Sequence, residues 1–211
     1  MKITQFEQSG LLVETNSGYK LAIDIGIYTP ISKLDGITPD AMLVSHIHRD
    51  HFALEQIKRL SPKKLYLNEE CIQTLDNERL TSQIIKVKTG DFVDIDGIKV
   101  TFFEVDHGPN VTIRPKENFG FLIQADEERL YFAGDMFYPS GMDVRPLEVD
   151  YAYIPVGGFY TFDPKEAIAF AKQFLKIGRV IPMHYEKDHQ FREEFLKMAM
   201  TEGFNTDSFL L

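Results

Sequence analysis

The sequence predicts an α/β domain rich in antiparallel hairpins, and three observations carry that reading. Short runs of β-branched, aromatic and other apolar residues recur along the chain, each bounded by Gly, Asp, Asn or Pro turn signals. Only a few stretches place apolar residues at helical spacing. No linker, low-complexity tract or internal repeat interrupts the pattern, so the 211 residues fit one domain, 1–211, with a sizeable core.

Taken in order, Ile3 to Phe6 and Leu11 to Thr15 read as a hairpin around Ser9-Gly10, and Tyr19 to Ile25 adds a third strand that Gly26 ends. Pro30 to Pro39 reads as a connecting loop. Ala41-Met42-Leu43-Val44 is a continuous apolar run after Thr38-Pro39-Asp40, the signature of a buried strand. Leu54, Ile57 and Leu60 share one helical face, and Ser61-Pro62 stops that helix. Lys64 to Leu67 is a short strand, with a loose-ended helix expected over 68–80. Strands follow at Ile84 to Val87, Phe92 to Ile95 and Ile98 to Val105, the last two joined at the turn dipeptide Asp96-Gly97. Gly120 to Ala125 and Leu130 to Ala133 pair around Asp126-Glu127-Glu128, and Asp150 to Val156 ends at Gly157-Gly158. Asp163-Pro164 supplies an N-cap and a first-turn proline. The apolar stripe of Ile168, Ala171 and Leu175 then predicts a helix that Gly178 terminates. Val180 to Met183 is a strand, and Phe191, Phe195, Met198 and Ala199 mark a last helix.

A net charge of −9 argues against wrapping nucleic acid or docking on an anionic membrane by bulk electrostatics, although a local basic pocket remains open. The single cysteine, Cys71, rules out an internal disulfide, fits a reducing compartment and is expected to serve packing. The N-terminal residues lack the apolar run of a secretory signal, and no stretch is long and apolar enough to span a bilayer. A cytoplasmic protein acting on a small molecule is the expectation; oligomeric state is open.

Function concentrates in Ser45-His46-Ile47-His48-Arg49-Asp50-His51. Four potential metal ligands lie within six residues, directly after the buried strand. A tight loop leaving a rigid strand can aim His46 and His48 at one point and Asp50 and His51 at another. His107 and His184 each follow an expected strand, as does Asp135, where Gly134 permits a sharp turn. Taken singly, His107 and His184 read as structural. Together they can converge on the crevice at the strand ends, where α/β sheets place their sites.

The order His46-x-His48-x-Asp50-His51, then His107, Gly134-Asp135 and His184, resembles the metallo-β-lactamase superfamily signature. The segments 130–135, 150–158, 159–167 and 181–185 look like its short metal-dependent hydrolase branch, which includes ascorbate-6-phosphate lactonase-like proteins and relatives of N-acyl-phosphatidylethanolamine phospholipases. That resemblance implies a four-layer αββα sandwich of two mixed sheets with helices outside. It also implies two divalent cations, zinc first, with manganese or iron as alternatives. His46, His48 and His107 would hold one cation and Asp50, His51 and His184 the other, with Asp135 bridging. The diiron-flavoprotein relatives carry glutamate where His48 stands, so oxygen reduction is disfavoured.

Two such cations lower the pKa of a shared water toward about 7, making a hydroxide able to cleave a small ester, lactone, amide or phosphodiester. Asp50 would bind metal and orient that water, and could accept its proton. Asp24 and Asp106 are candidates, by chemistry only, to hold the far ring nitrogens of the histidines. Arg114 and Lys116 could grip a phosphate or carboxylate, or simply form a solvated basic turn. Tyr138, Tyr160, Thr161 and Tyr185 flank the motif residues and could line the pocket or pack. The alternatives are a non-catalytic metal- or ligand-binding domain and, further off, a phosphodiesterase or nuclease, which the charge disfavours.

Overall fold

The computed structural model describes residues 1–75, 78–108, 110–137, 146–185 and 189–206. Each half of the chain builds one six-stranded sheet. The first holds β1 (Lys2–Gln5), β2 (Leu11–Glu14), β3 (Lys20–Ile23), β4 (Ala41–Leu43), β5 (Lys64–Leu67) and β6 (Gln83–Lys86), in that spatial order. The second holds β7 (Phe92–Ile95), β8 (Ile98–Glu104), β9 (Phe119–Ala125), β10 (Glu128–Phe132), β11 (Leu147–Pro155) and β12 (Leu175–Met183), again in sequence order. Both begin as antiparallel meanders with short turns and finish parallel, through longer crossovers.

Period-two alternation sorts the first sheet's side chains. Leu11, Val13, Leu21, Ile23, Ala41 and Leu43 join the central core with Phe102, Phe121 and Phe132 of the second sheet. Their neighbours Leu12, Ala22, Met42, Leu65 and Leu67 face outward onto Ile57 and Leu60 of α1 (Leu54–Leu60) and Cys71 of α2 (Glu69–Thr74). Helices α3 (Pro164–Phe174) and α4 (His189–Thr201) pack on β11 and β12. The result is the four-layer αββα sandwich of two mixed sheets. Cys71 is buried among apolar side chains, and burial pushes its thiol pKa up, so it packs rather than reacts.

Three boundaries depart from the sequence reading. The loop 30–39 contains a 3-10 turn, Ile31–Leu34, which buries Leu34 under α1. Helix α2 closes at Thr74, well short of residue 80. Gly178 does not end a helix: α3 stops at Phe174, and Leu175 already pairs with Leu147 in the sheet. The glycine serves a close approach instead, since a Cβ there would lie 2.7 Å from the Asp150 carbonyl oxygen.

Strand direction positions the site. In the first sheet β1, β3 and β4 run the same way, and in the second so do β8, β10, β11 and β12. The C-terminal ends of these strands lead into Gln8, Asp24, His46, His107, Asp135 and His184. That shared edge is where open α/β sheets bind ligands.

Candidate metal centre

The loop after β4 is tied down before any ligand is considered. The backbone N–H groups of His51 and Phe52 both donate to the His48 carbonyl, closing a turn that leads to α1. Gly26 makes room for it: a Cβ at that position would sit 2.0 Å from the Asp50 carbonyl oxygen. Ser45 bridges the two sheets, its carbonyl accepting from Phe119 N–H at 3.1 Å. On the second sheet Gly134 turns with φ +64°, and a Cβ there would meet the Phe119 carbonyl oxygen at 2.3 Å. Asn118 then donates to the Asp135 carbonyl at 2.7 Å and to that of Val105 at 3.3 Å, fixing the Asp135 and His107 segments to each other.

All seven expected ligands converge. His46, His48 and His107 form one group and Asp50, His51, Asp135 and His184 a second, with ligand atoms inside each group within 4.8 Å of one another. Asp135 Oδ2 reaches both. It lies 3.0 Å from His184 Nε2, 3.2 Å from His51 Nε2, 3.3 Å from His107 Nε2 and 4.0 Å from His46 Nε2.

The donor set fits cations by its unmet demands. Nε2 of His46 and His51, both ring nitrogens of His107, and Asp135 Oδ1 are buried without a hydrogen-bond partner among the described residues. Buried polar atoms normally find partners, and leaving several together costs on the order of 1–3 kcal/mol each. Cations between them would satisfy the whole set. His48 Nε2 is committed to the Ile113 carbonyl at 2.7 Å, which leaves its Nδ1 lone pair for a cation.

Asp24 orients the cluster from behind. It is fully buried, with a left-handed φ of +45°, and His51 Nδ1 lies 2.8 Å from its Oδ2. Its Oδ1 accepts from the Ser45 N–H at 2.7 Å, and the Ser45 hydroxyl donates to Oδ2 while standing 2.9 Å from His46 Nδ1. With Nδ1–H directed at Asp24, the proton that His51 gives up on binding a cation is the one on Nε2, which leaves that lone pair toward the centre. Asp106 does otherwise: its Oδ1 accepts from Gly108 N–H and from Arg114, both at 2.8 Å, and it meets no described ring nitrogen of the cluster.

Burial and charge divide the titrating groups. Burial, helped by charge on His51, holds His46 well below the usual imidazole range, and burial lowers His48 as well. Burial also opposes charge on His51, yet Asp135, Asp50 and Asp24 outweigh it and raise His51 well above that range. Burial works against the carboxylates too, but His184 and His51 keep Asp135 ionised, and His51 and His184 do the same for Asp50. His184 is drawn two ways. Against burial, Asp135 pulls it up to about 9, whereas the Gln8 amide lies 2.7 Å from His184 Nε2 and can only donate to a lone pair there. The close hydrogen bond favours the neutral ring, because an amide N–H facing an imidazolium N–H is repulsive.

Of the other residues singled out in the sequence, Arg114 is paired with Asp106 and Lys116 is exposed. Thr161 is buried and accepts from Gly157 N–H, Tyr185 packs on the core, and Tyr160 is exposed. Tyr138 lies outside the described residues. The sequence reading missed Gln8 and the role of Ser45. A lone Gln in a hairpin turn carries no signal, and Ser45 is an ordinary strand-end residue.

The chain belongs to the beta-lactamase superfamily, whose domain model matches residues 2–184. Among curated relatives it is 28% identical over 204 residues to a metal-dependent hydrolase of Pyrobaculum neutrophilum, covering 92% of this chain and 88% of that one. It is 30% identical over 160 residues to a metal-dependent hydrolase of Thermococcus onnurineus, 73% of this chain and 70% of that one. Among solved structures, a metallo hydrolase from Ignicoccus hospitalis superposes with a TM-score of 0.77 at 25% identity, over 97% of this chain and 93% of that one.

Proposed function

We propose that the chain is a hydrolase whose seven clustered ligands hold two divalent cations and cleave a small ester, lactone, amide or phosphodiester. The observation that carries this reading is Asp135 Oδ2, within 4.0 Å of four imidazole Nε2 atoms that belong to both ligand groups. The relatives named as metal-dependent hydrolases support it. Bound there, the cations would supply an activated water and positive charge against the developing oxyanion. An all-nitrogen-and-oxygen donor set suits zinc first and accepts manganese or iron.

The chain's own residues divide the remaining work. Asp135 is 2% exposed at its side chain and serves binding, whereas the Asp50 side chain is 21% exposed and opens toward solvent. Asp50 is held ionised, which suits it to orient the attacking water and makes it a poor proton acceptor near neutral pH. A purely structural metal site closes over its cation, and the partial exposure of Asp50 and His48 favours catalysis. Ile27, Tyr28, Ile113, Phe159 and Tyr160 are five of the eight exposed large hydrophobics among the described residues. They sit on loops bonded to the ligand segments: Ile27 N–H donates to Arg49, the Ile113 carbonyl meets His48, and Asn110 ties the Phe159 carbonyl to the loop after His107. Such a rim suits a substrate with an apolar group beside the scissile bond.

The test is metal analysis together with a panel of chromogenic esters, lactones and bis-p-nitrophenyl phosphate. Two equivalents of divalent metal per chain and chelator-sensitive turnover of at least one substrate are expected. Protein that takes up no divalent metal at neutral pH overturns the reading, and metal uptake with no turnover of any class favours a non-catalytic binding domain.

A further inference from the structure

Gln8 belongs to the turn between β1 and β2, a place where side chains ordinarily face water, yet it is only 2% exposed. Its φ of +61° is a conformation that glycine or asparagine adopts at lower cost. A long side chain folded inward from such a position is held by what it meets. Because β1 runs in the same direction as β3 and β4, its turn emerges on the ligand-bearing edge beside Asp24 and His46.

There Gln8 makes three contacts with two ligands drawn from different halves of the chain. Its carbonyl accepts from His184 N–H at 2.9 Å, and its Nε2 lies 2.8 Å from Asp50 Oδ2 and 2.7 Å from His184 Nε2. A carboxamide nitrogen carries two N–H donors, one for each acceptor. Those two acceptor atoms are 3.4 Å apart, a spacing that one cation can take.

We propose that Gln8 is the positioning residue of the half-site formed by Asp50, His51, Asp135 and His184, holding Asp50 Oδ2 and His184 Nε2 at cation-binding separation before a cation arrives. This rests on the metal-centre reading above. The chemistry of the two contacts differs. A carboxylate oxygen has a second lone pair, so Gln8 can keep Asp50 oriented while a cation binds. An imidazole nitrogen has only one, so the amide gives up His184 Nε2 to the cation while the backbone bond to His184 N–H stays. The other residue types fit less well. Glutamate would set a third carboxylate against Asp50 and Asp135, lysine would occupy the half-site with its own charge, and asparagine is one methylene too short.

The experiment titrates metal-free full chain with Co2+, followed by visible absorption and chelator competition, for wild type, Gln8→Ala, Gln8→Asn and Gln8→Glu. Wild type should take two equivalents. Gln8→Ala and Gln8→Asn should weaken one equivalent about 10–100-fold, the range for residues that orient metal ligands, and leave the other unchanged. Gln8→Glu should recover part of that loss while lowering the melting temperature of the metal-free protein, because a carboxylate attracts the cation and repels Asp50. A merely structural role would instead weaken both equivalents together. Wild-type affinity for both equivalents in Gln8→Ala, or equal loss of both, overturns the proposal. Should Gln8→Ala fail to fold, Gln8→Asn and Gln8→Glu decide it in the same way. Wild type that binds no Co2+ overturns the proposal together with the reading beneath it, an outcome distinct from two equivalents bound alike by every variant.

Discussion

Replacing Asp24 with asparagine tests whether a residue that need not touch a cation sets the centre's geometry. Asp24 offers acceptors to three donors: Ser45 N–H at Oδ1, and both the Ser45 hydroxyl and His51 Nδ1 at Oδ2. Asparagine keeps the size and tolerates the left-handed backbone at φ +45°, so the change is chemical rather than steric. It has only one acceptor oxygen, and whichever way the amide faces, an NH2 group meets a buried donor. If the NH2 faces His51, the ring moves its proton to Nε2, the atom aimed at the cation. The variant loses one charge-assisted hydrogen bond, worth about 1.5–3 kcal/mol of folding stability. It should also lose about 10–100-fold in metal affinity. Thermal denaturation of the metal-free protein reads the first quantity and chelator-competed Zn2+ titration the second. Wild-type metal affinity in Asp24→Asn would refute the claim that Asp24 fixes the His51 tautomer, whatever the melting temperature does.

Gly134→Ala should cost about 1–2 kcal/mol for the left-handed backbone and lower metal content, because its Cβ would press on the Phe119 carbonyl oxygen and displace Asp135; denaturation and metal analysis check both. Acid should empty the two groups in order, since imidazoles must be neutral to bind. His51 is raised and takes up its proton first as pH falls, whereas His46 and His48 are lowered and stay neutral longer, so equilibrium dialysis of Co2+ against pH should show one equivalent lost at higher pH than the other. Ile113→Ser and Phe159→Ser should raise KM about tenfold each for substrates with an apolar group while sparing kcat, the result of losing about 1.5 kcal/mol of uniform binding; steady-state kinetics separates the two.

How much of this was legible in the sequence depends on whether chemistry or register carries the information. His46, His48, Asp50 and His51 announce themselves because four ligand-type side chains after one apolar strand are rare by chance. His107, Asp135 and His184 gain meaning only from their shared place just beyond strands, which the run-and-turn pattern reveals. Asp24 and Asp106 look alike on that basis, each an acid beside a strand end. Only the fold separates them, turning Asp24 toward His51 and Asp106 toward Gly108 and Arg114. Gln8 is illegible locally, because its partners lie in loops far along the chain. Gly178 misled for a related reason: a glycine after an apolar stripe normally stops a helix, but here it admits the Asp150 backbone inside a sheet.

The most direct measurement is the divalent metal content of purified wild type and Asp135→Ala after dialysis against Zn2+ at neutral pH. Two ions per wild-type chain and at most one in Asp135→Ala are expected, since Asp135 Oδ2 stands between both groups of imidazoles. No metal in wild type, or two ions retained by Asp135→Ala, would contradict the paired centre.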